Sequence, residues 1–164
     1  MSELLNCQVE TSDHLMYDDY MKKINLRVAA KAVIMNDKNQ ILILREDSHD
    51  ESTQAGLYGL PGGRINTDES FFDGLKREVL EETGLKVEAI KPVFVGEWWP
   101  TIKGVKTHIV AVFILCRTKS TTVKLSEEHD DFVWLDAADF AKYKFMPPDD
   151  EVALSVFKDE STIR

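Results

Sequence analysis

Apolar positions between residues 26 and 45 fall into two runs separated by four polar residues. The run LRVAAKAVIM, Leu26 to Met35, reads as a strand, Asn36-Asp37-Lys38-Asn39 as a turn, and Gln40 to Arg45 as a second strand, so the punctuation predicts a hairpin. A polar stretch, EDSHDESTQAG from Glu46 to Gly56, follows as a loop whose His49 is expected in solvent. At Ser70 the period changes from two to 3.6. Phe72, Leu75 and Val79 share one stripe at about 100° per residue, which predicts a helix from Ser70 to about Thr83. Ser70 is placed to cap it, with Asp73 reaching back in a capping box, and Gly84 to end it in a left-handed turn.

Beyond the helix, Lys86 to Trp99 reads as a strand bent near Pro92 and Gly96. Lys106 to Cys116, after a turn at Gly104, is apolar enough to be buried on both faces. Asp136 to Tyr143 suggests a short helix, Met146-Pro147-Pro148 a break, and Asp149 to Lys158 a closing helix with Asp149 and Asp150 complementing its dipole. This order fits an α/β/α sandwich around a mixed β-sheet, one domain over residues 26–164 behind an extension, residues 1–25. In that extension Tyr17, Tyr20 and Met21 are expected to form a short helix or to cross the domain or a partner subunit.

Composition narrows the class. A chain of 164 residues with 43% hydrophobic content suits one core. A net charge of −9 and no basic stripe argue against DNA or RNA as partner. An anionic small molecule remains compatible, provided that bound cations reverse the local field. Cys7 and Cys116 have no metal-ligand spacing, and there is no leader or apolar run of about 18 residues, so the expectation is a cytoplasmic protein away from membranes.

The helix carries the chemistry. Glu78, Glu81 and Glu82 lie within an arc of about 100° beside the apolar stripe, where like charges at i,i+3 and i,i+4 repel. A hard divalent cation offsets such repulsion. Acidic helix faces are usually only solvated, and it is the wider spacing that changes the reading. Gly74, on the same face, is expected to keep the surface low for a ligand. Gly63, Glu69 and the run Arg77-Glu78-Val79-Leu80-Glu81-Glu82-Thr83-Gly84-Leu85 together resemble the Nudix box of the Nudix hydrolase family.

That resemblance, extending over about residues 26 to 158, implies the Nudix fold and an Mg²⁺- or Mn²⁺-dependent hydrolase. Its substrate would be a nucleoside diphosphate linked to another moiety, cleaved at the pyrophosphate bond. It implies Glu78, Glu81 and Glu82 as metal ligands, joined by a carbonyl of the Gly62–Gly63 pair, with Gly63 as the candidate. Arg77 would orient Glu78, and Glu69 would support the loop. In SEEHDDFVWL, Glu128 with Phe132, Trp134 and Leu135 behind it resembles the family's further glutamate, a metal ligand or general base shared with Glu78; Glu127 is its near alternative. Arg45 stands where family members often hold substrate phosphate, or is a plain strand-end arginine. Trp98 and Trp99 are candidates to stack on a base, or to cap the sheet.

The substrate the resemblance favours is a nucleoside triphosphate or modified nucleotide, as in MutT-like housekeeping members. ADP-ribose or a nucleotide sugar is the alternative, to which Pro100, 15 residues past Leu85, points weakly. A non-catalytic nucleotide-binding module on the same fold is the rival of another class. The isomerase branch would want a site cysteine, and mRNA decapping a basic RNA path. The assembly expected is a monomer or homodimer.

Overall fold

The computed structural model describes residues 25–49 and 54–159, so Tyr17, Tyr20 and Met21 lie outside the described residues. Among the described residues seven strands and two α-helices follow one another: β1 (Asn25–Met35), β2 (Ile41–Glu46), β3 (Tyr58–Gly59), α1 (Phe71–Thr83), β4 (Glu88–Trp98), β5 (Thr101–Ile102), β6 (Val105–Arg117), β7 (His129–Leu135) and α2 (Asp149–Lys158). A 3₁₀ turn at Ala137–Lys142 stands where a short helix was expected. Among the described residues no helix is long and apolar enough to cross a membrane.

β1 and β6 are the centre of the sheet, and their side chains alternate between two buried layers. Val33, Met35, Phe113 and Leu115 pack towards α2, while Ala32, Ile34, Ile114 and Cys116 pack towards α1. Both faces of these strands are covered, which explains apolar runs without polar interruption. The result is an α/β/α sandwich whose two cores share one sheet.

The expected β1–β2 hairpin is corrected in its pairing. The two strands meet only at Met35 and Ile41. β1 runs parallel to β6 over its whole length, Asn25 opposite Thr107 to Met35 opposite Arg117. β2 turns away to pair with β7 and, at Leu44 and Arg45, with β3. Into the resulting wedge comes the segment 61–65: Ala32 N–H donates to the Pro61 carbonyl at 2.8 Å, Ala30 N–H to Gly63 at 2.9 Å, and Ile65 N–H to Val28 at 3.0 Å. Unpaired backbone on β1 would be costly, and the glycine-rich segment satisfies it. The loop after β2 is clamped at its root, where Glu46 N–H donates to the Leu57 carbonyl and Gly56 N–H to that of Glu46.

β4 is irregular beside Ala89 and Pro92, close to the expected bend, because proline cannot donate to the ladder. β5 and the start of β6 form a small hairpin whose turn residues, Lys103 and Gly104, both have positive φ. α1 starts with the Ser70 hydroxyl accepting from Asp73 N–H at 3.2 Å. The reciprocal half of a capping box is absent: the Ser70 hydroxyl donates to the Asp73 carboxylate at 2.7 Å, because aspartate is too short to reach back to the cap's own N–H. Gly84 ends the helix at φ +70°. Gly84→Ala is therefore expected to cost about 1 kcal/mol and to lower the thermal midpoint by about 2–4 °C, readable by calorimetry; an unchanged midpoint would mean that the turn relaxes freely.

Candidate active site

The site forms where the 61–65 segment, α1 and the loop before β7 meet. Gly62 has φ +123°, and a Cβ there would fall 2.2 Å from the Ala30 carbonyl oxygen, so only glycine lets the segment lie this close to β1. Its N–H donates to the Glu82 carboxylate at 2.8 Å. A Cβ on Gly63 would lie 2.6 Å from a Glu78 carboxylate oxygen. The two glycines thus bring backbone directly over two carboxylates of the helix.

Glu82 is buried, and that burial pushes its pKa up to about 7; the charges of Glu78 and Glu128 push the same way, against Lys31 and the Gly62 N–H. Glu128 sits on an exposed loop fixed to the helix end by Ser126 N–H donating to the Glu82 carbonyl at 3.1 Å and Lys124 N–H to that of Thr83 at 2.8 Å. It is Glu128, rather than Glu127, whose charge is felt at Glu82.

Arg77 organises the rest. Its guanidinium donates to Glu69 at 2.9 and 2.7 Å, to Glu78 at 2.9 Å, to Glu81 at 3.0 Å and to the Arg64 carbonyl at 3.2 Å. These bonds, chiefly that from Arg77, hold Glu69 down at about 2, assisted by the Asn66 N–H. Gly74 has a different role from the one expected. It is buried, and a Cβ there would meet Ile65 at 2.7 Å and Glu69 at 2.9 Å, so it makes room for the loop and not for a ligand.

A cleft of about 750 Å³ opens beside this cluster. Gly62, Gly63 and three cations, Arg27, Lys31 and Arg64, line one part of it; Trp98, Ile102 and Met146 line another. Lys31 donates to the Leu60 carbonyl at 2.9 Å and stands 3.9 Å from Asp149. Asp149, buried at the start of α2, accepts from Leu60 N–H at 2.7 Å, and its burial raises its pKa. Glu46, also on the cleft, is raised by burial and opposed by His129, 3.9 Å away, and by Lys31.

The sequence candidates are thus divided. Glu78, Glu82, Arg77 and Glu128 gather with Gly62 and Gly63, and Trp98 lines the cleft. Glu81 is largely exposed on the outer side of Arg77. Trp99 is turned away, stacked on His108 with ring centroids 4.6 Å apart. Arg45 is not on the cleft: it donates to Asp130 at 2.6 Å and lies over the Tyr58 ring. Lys31, Glu46, His129 and Asp149 were missed. Lys31 did leave a signal, as the single charge deep within an apolar strand.

Among the described residues no three His, Cys, Asp or Glu side chains converge as ready metal ligands, since Arg77 draws Glu78 and Glu81 towards itself. The donor chemistry nevertheless fits a hard cation. Every candidate donor is oxygen, and among the described residues the Glu82 carboxylate receives a single hydrogen bond, in a setting that penalises its charge.

Comparison with known proteins agrees with this architecture. A family model described as the NUDIX domain matches residues 25–156. Nudix hydrolase 6 of Arabidopsis thaliana is 29% identical over 109 residues, 65% of this chain but 37% of that protein, so the chain spans about a third of the plant relative. The nucleoside triphosphatase NudI of Escherichia fergusonii is 28% identical over 118 residues, 68% of this chain and 82% of that one. Among solved structures, the MutT protein from Methanosarcina mazei Go1 superposes with a TM-score of 0.66 at 28% identity, covering 85% of this chain and 97% of that one. The matched domain runs from the first residue of β1 into α2 and takes in both cores and the whole carboxylate cluster, so the chain belongs to the NUDIX domain family.

Proposed function

We propose that the protein hydrolyses the pyrophosphate linkage of a nucleoside diphosphate joined to another group, with a nucleoside triphosphate or modified nucleotide as preferred substrate. The observation that carries this reading is the buried Glu82 carboxylate under the Gly62 N–H, with Glu78 beside it and Lys31, Arg27 and Arg64 on the adjoining cleft. Acid groups to hold cations and basic groups to hold phosphate oxygens then stand side by side.

Family members generally use a divalent metal. Here Glu78, Glu82 and Glu128 would hold Mg²⁺ or Mn²⁺, with Glu81 contributing from the rim. The Gly63 carbonyl already accepts from Ala30, whereas the Gly62 carbonyl has no donor among the described residues. This favours Gly62 over Gly63 as the backbone ligand. Once bound, the cation supplies charge neutralisation at the diphosphate and a lower pKa for water. Arg77 keeps Glu78 oriented. Lys31, Arg27 and Arg64 bind the phosphate oxygens, and water displaces one phosphate from the other in line. Glu78 already gives an oxygen to Arg77, so Glu128, exposed on the loop bonded to the end of α1, accepts the proton.

The test is a panel of nucleoside triphosphates, oxidised nucleotides, nucleotide sugars and ADP-ribose with Mg²⁺ and Mn²⁺. Turnover of a triphosphate to a monophosphate is expected; preferential cleavage of ADP-ribose would move the substrate to the alternative class. Binding without turnover of any member would identify a nucleotide-binding module.

Trp98 and Trp99 separate under the same reading. Stacking on a base is worth about 1–3 kcal/mol, so Trp98→Ala is expected to raise KM about 5- to 150-fold with kcat little changed. Trp99→Ala should leave KM nearly unaltered. Steady-state kinetics on both variants decides, and the reverse pattern would move base recognition off the cleft wall.

A further inference from the structure

The pairing of β2 with β7 changes register beside the site. Arg45 stands opposite Asp131 and Glu46 opposite His129, so Asp130 is one residue too many on β7, a β-bulge. A bulge bends its strand and re-aims the side chains around it. This one lies two residues from Glu128, where the loop that carries that glutamate enters β7.

The bulge is fastened by its own side chain. One oxygen of the Asp130 carboxylate accepts from Arg45 Nε at 2.6 Å, and the other accepts from the Ser48 hydroxyl and, at 3.0 Å, from the Ser48 N–H. Hydrogen bonds to an ionised group are short and strong, and these, the Ser48 hydroxyl's first and Arg45's next, hold the Asp130 carboxyl well below the ordinary carboxylate range. Arg45 is itself steadied, with its guanidinium over the Tyr58 ring at 5.9 Å. The Tyr58 hydroxyl in turn donates to Asp131, the next residue of β7, at 2.6 Å.

Between Arg45 and Ser48, the Asp47 N–H donates to the Glu128 carbonyl at 3.0 Å. The end of β2 therefore grips both Glu128 and Asp130, while Ser126 is bonded to the end of α1. Arg45, Ser48 and Asp130 do not line the cleft. Their bonds run to the strand that bears Glu128, and so they act on the site only through it.

We propose that Arg45 and Ser48 are positioning residues, which through the bulged Asp130 hold the Glu128 loop in place beside the end of α1 for the reaction. This rests on the reading above in which Glu128 accepts the proton.

The test combines kinetics with hydrogen exchange read by mass spectrometry. Asp130→Ala is expected to lower kcat about ten- to a hundredfold with KM changed less than about twofold, since a misplaced base loses most of its contribution. Arg45→Met should do the same in kind. In a Glu128→Gln background, Asp130→Ala should lower kcat less than about twofold further, because the loop no longer carries a proton acceptor. A merely structural fault would cost as much in both backgrounds, and that result would overturn the proposal. Exchange in segments 45–49 and 126–130 should be at least about tenfold faster in Asp130→Ala while α1 keeps its protection; unchanged exchange there would overturn it as well. A raised KM in Arg45→Met beside normal kinetics in Asp130→Ala would overturn it in favour of Arg45 as a ligand of substrate phosphate. Normal turnover in Glu128→Gln would remove the proton acceptor and the proposal with it. Absence of turnover in the unaltered protein would instead refute the hydrolase reading, and the exchange result alone would then decide whether the anchor holds the loop.

Discussion

Replacing Glu82 with Gln is expected to lower turnover at least about a hundredfold while making the cation-free protein more stable at neutral pH. Both effects have one origin. Burial raises the folded-state pKa of Glu82 from 4.5 to about 7, so the folded state holds this proton more tightly than the unfolded chain. The sign follows from that difference: stability from this group is complete below pH 4.5, falls as pH rises towards 7, and stays low above it. At about 1.4 kcal/mol per pH unit the loss is about 3 kcal/mol. A glutamine keeps the shape and an oxygen for the Gly62 N–H without the buried charge. Urea unfolding of both proteins across this range, with a chelator present, should show curves that diverge as pH rises and coincide in acid. Near-normal turnover in Glu82→Gln would remove the assignment of this carboxylate to the chemistry.

Gly62→Ala is expected to be the most damaging single-methyl change, costing about 3 kcal/mol or more. The added Cβ would be 2.2 Å from a backbone oxygen of β1, at a φ of +123° that alanine rarely adopts. Neither the strand nor the segment can yield without breaking the bonds from Ala30 and Ala32. Gly63→Ala makes an instructive contrast. Its Cβ meets the end of the Glu78 side chain, which can move, so folding should survive while turnover falls as Glu78 is displaced. Denaturant midpoints and kcat, measured for both, should rank the variants in opposite orders per kcal/mol lost. Equal stability of Gly62→Ala and the unaltered protein would mean that the segment is not wedged against β1.

What the sequence made legible was local. The 3.6 period of Leu75 and Val79, the cap at Ser70 and the stop at Gly84 were sufficient to delimit α1, because each acts within a turn of its neighbours. The unlike fates of Glu81 and Glu82 were not legible. Adjacent in sequence, they are distinguished by the Gly62 N–H that meets buried Glu82 from 20 residues away and by the Arg77 guanidinium that holds exposed Glu81. Arg45 was ambiguous for the same reason: the carboxylate that holds it, Asp130, is 85 residues distant. Trp98 and Trp99 could have been separated in part, since neighbouring strand residues point to opposite faces; which face borders the cleft depends on the pairing of Trp98 with Ile109. Asp149 was read through its helix dipole, and nothing in the string announced that the Leu60 N–H would bond to it in a buried setting.

The clamp at the root of the loop after β2 has a practical corollary for protein engineering. Because Glu46 is bonded to both Leu57 and Gly56, the chain enters and leaves that loop at one point, and its two ends cannot be pulled apart by whatever lies between them. Loop closure grows costlier only logarithmically with length, about 0.6 kcal/mol per doubling. A fluorescent or affinity module spliced beyond Ser48, whose N–H and hydroxyl donate to Asp130, and past the Asp47 N–H that donates to the Glu128 carbonyl, would therefore sit near the mouth of the cleft, where Gln54 lines it, and report on ligand arrival.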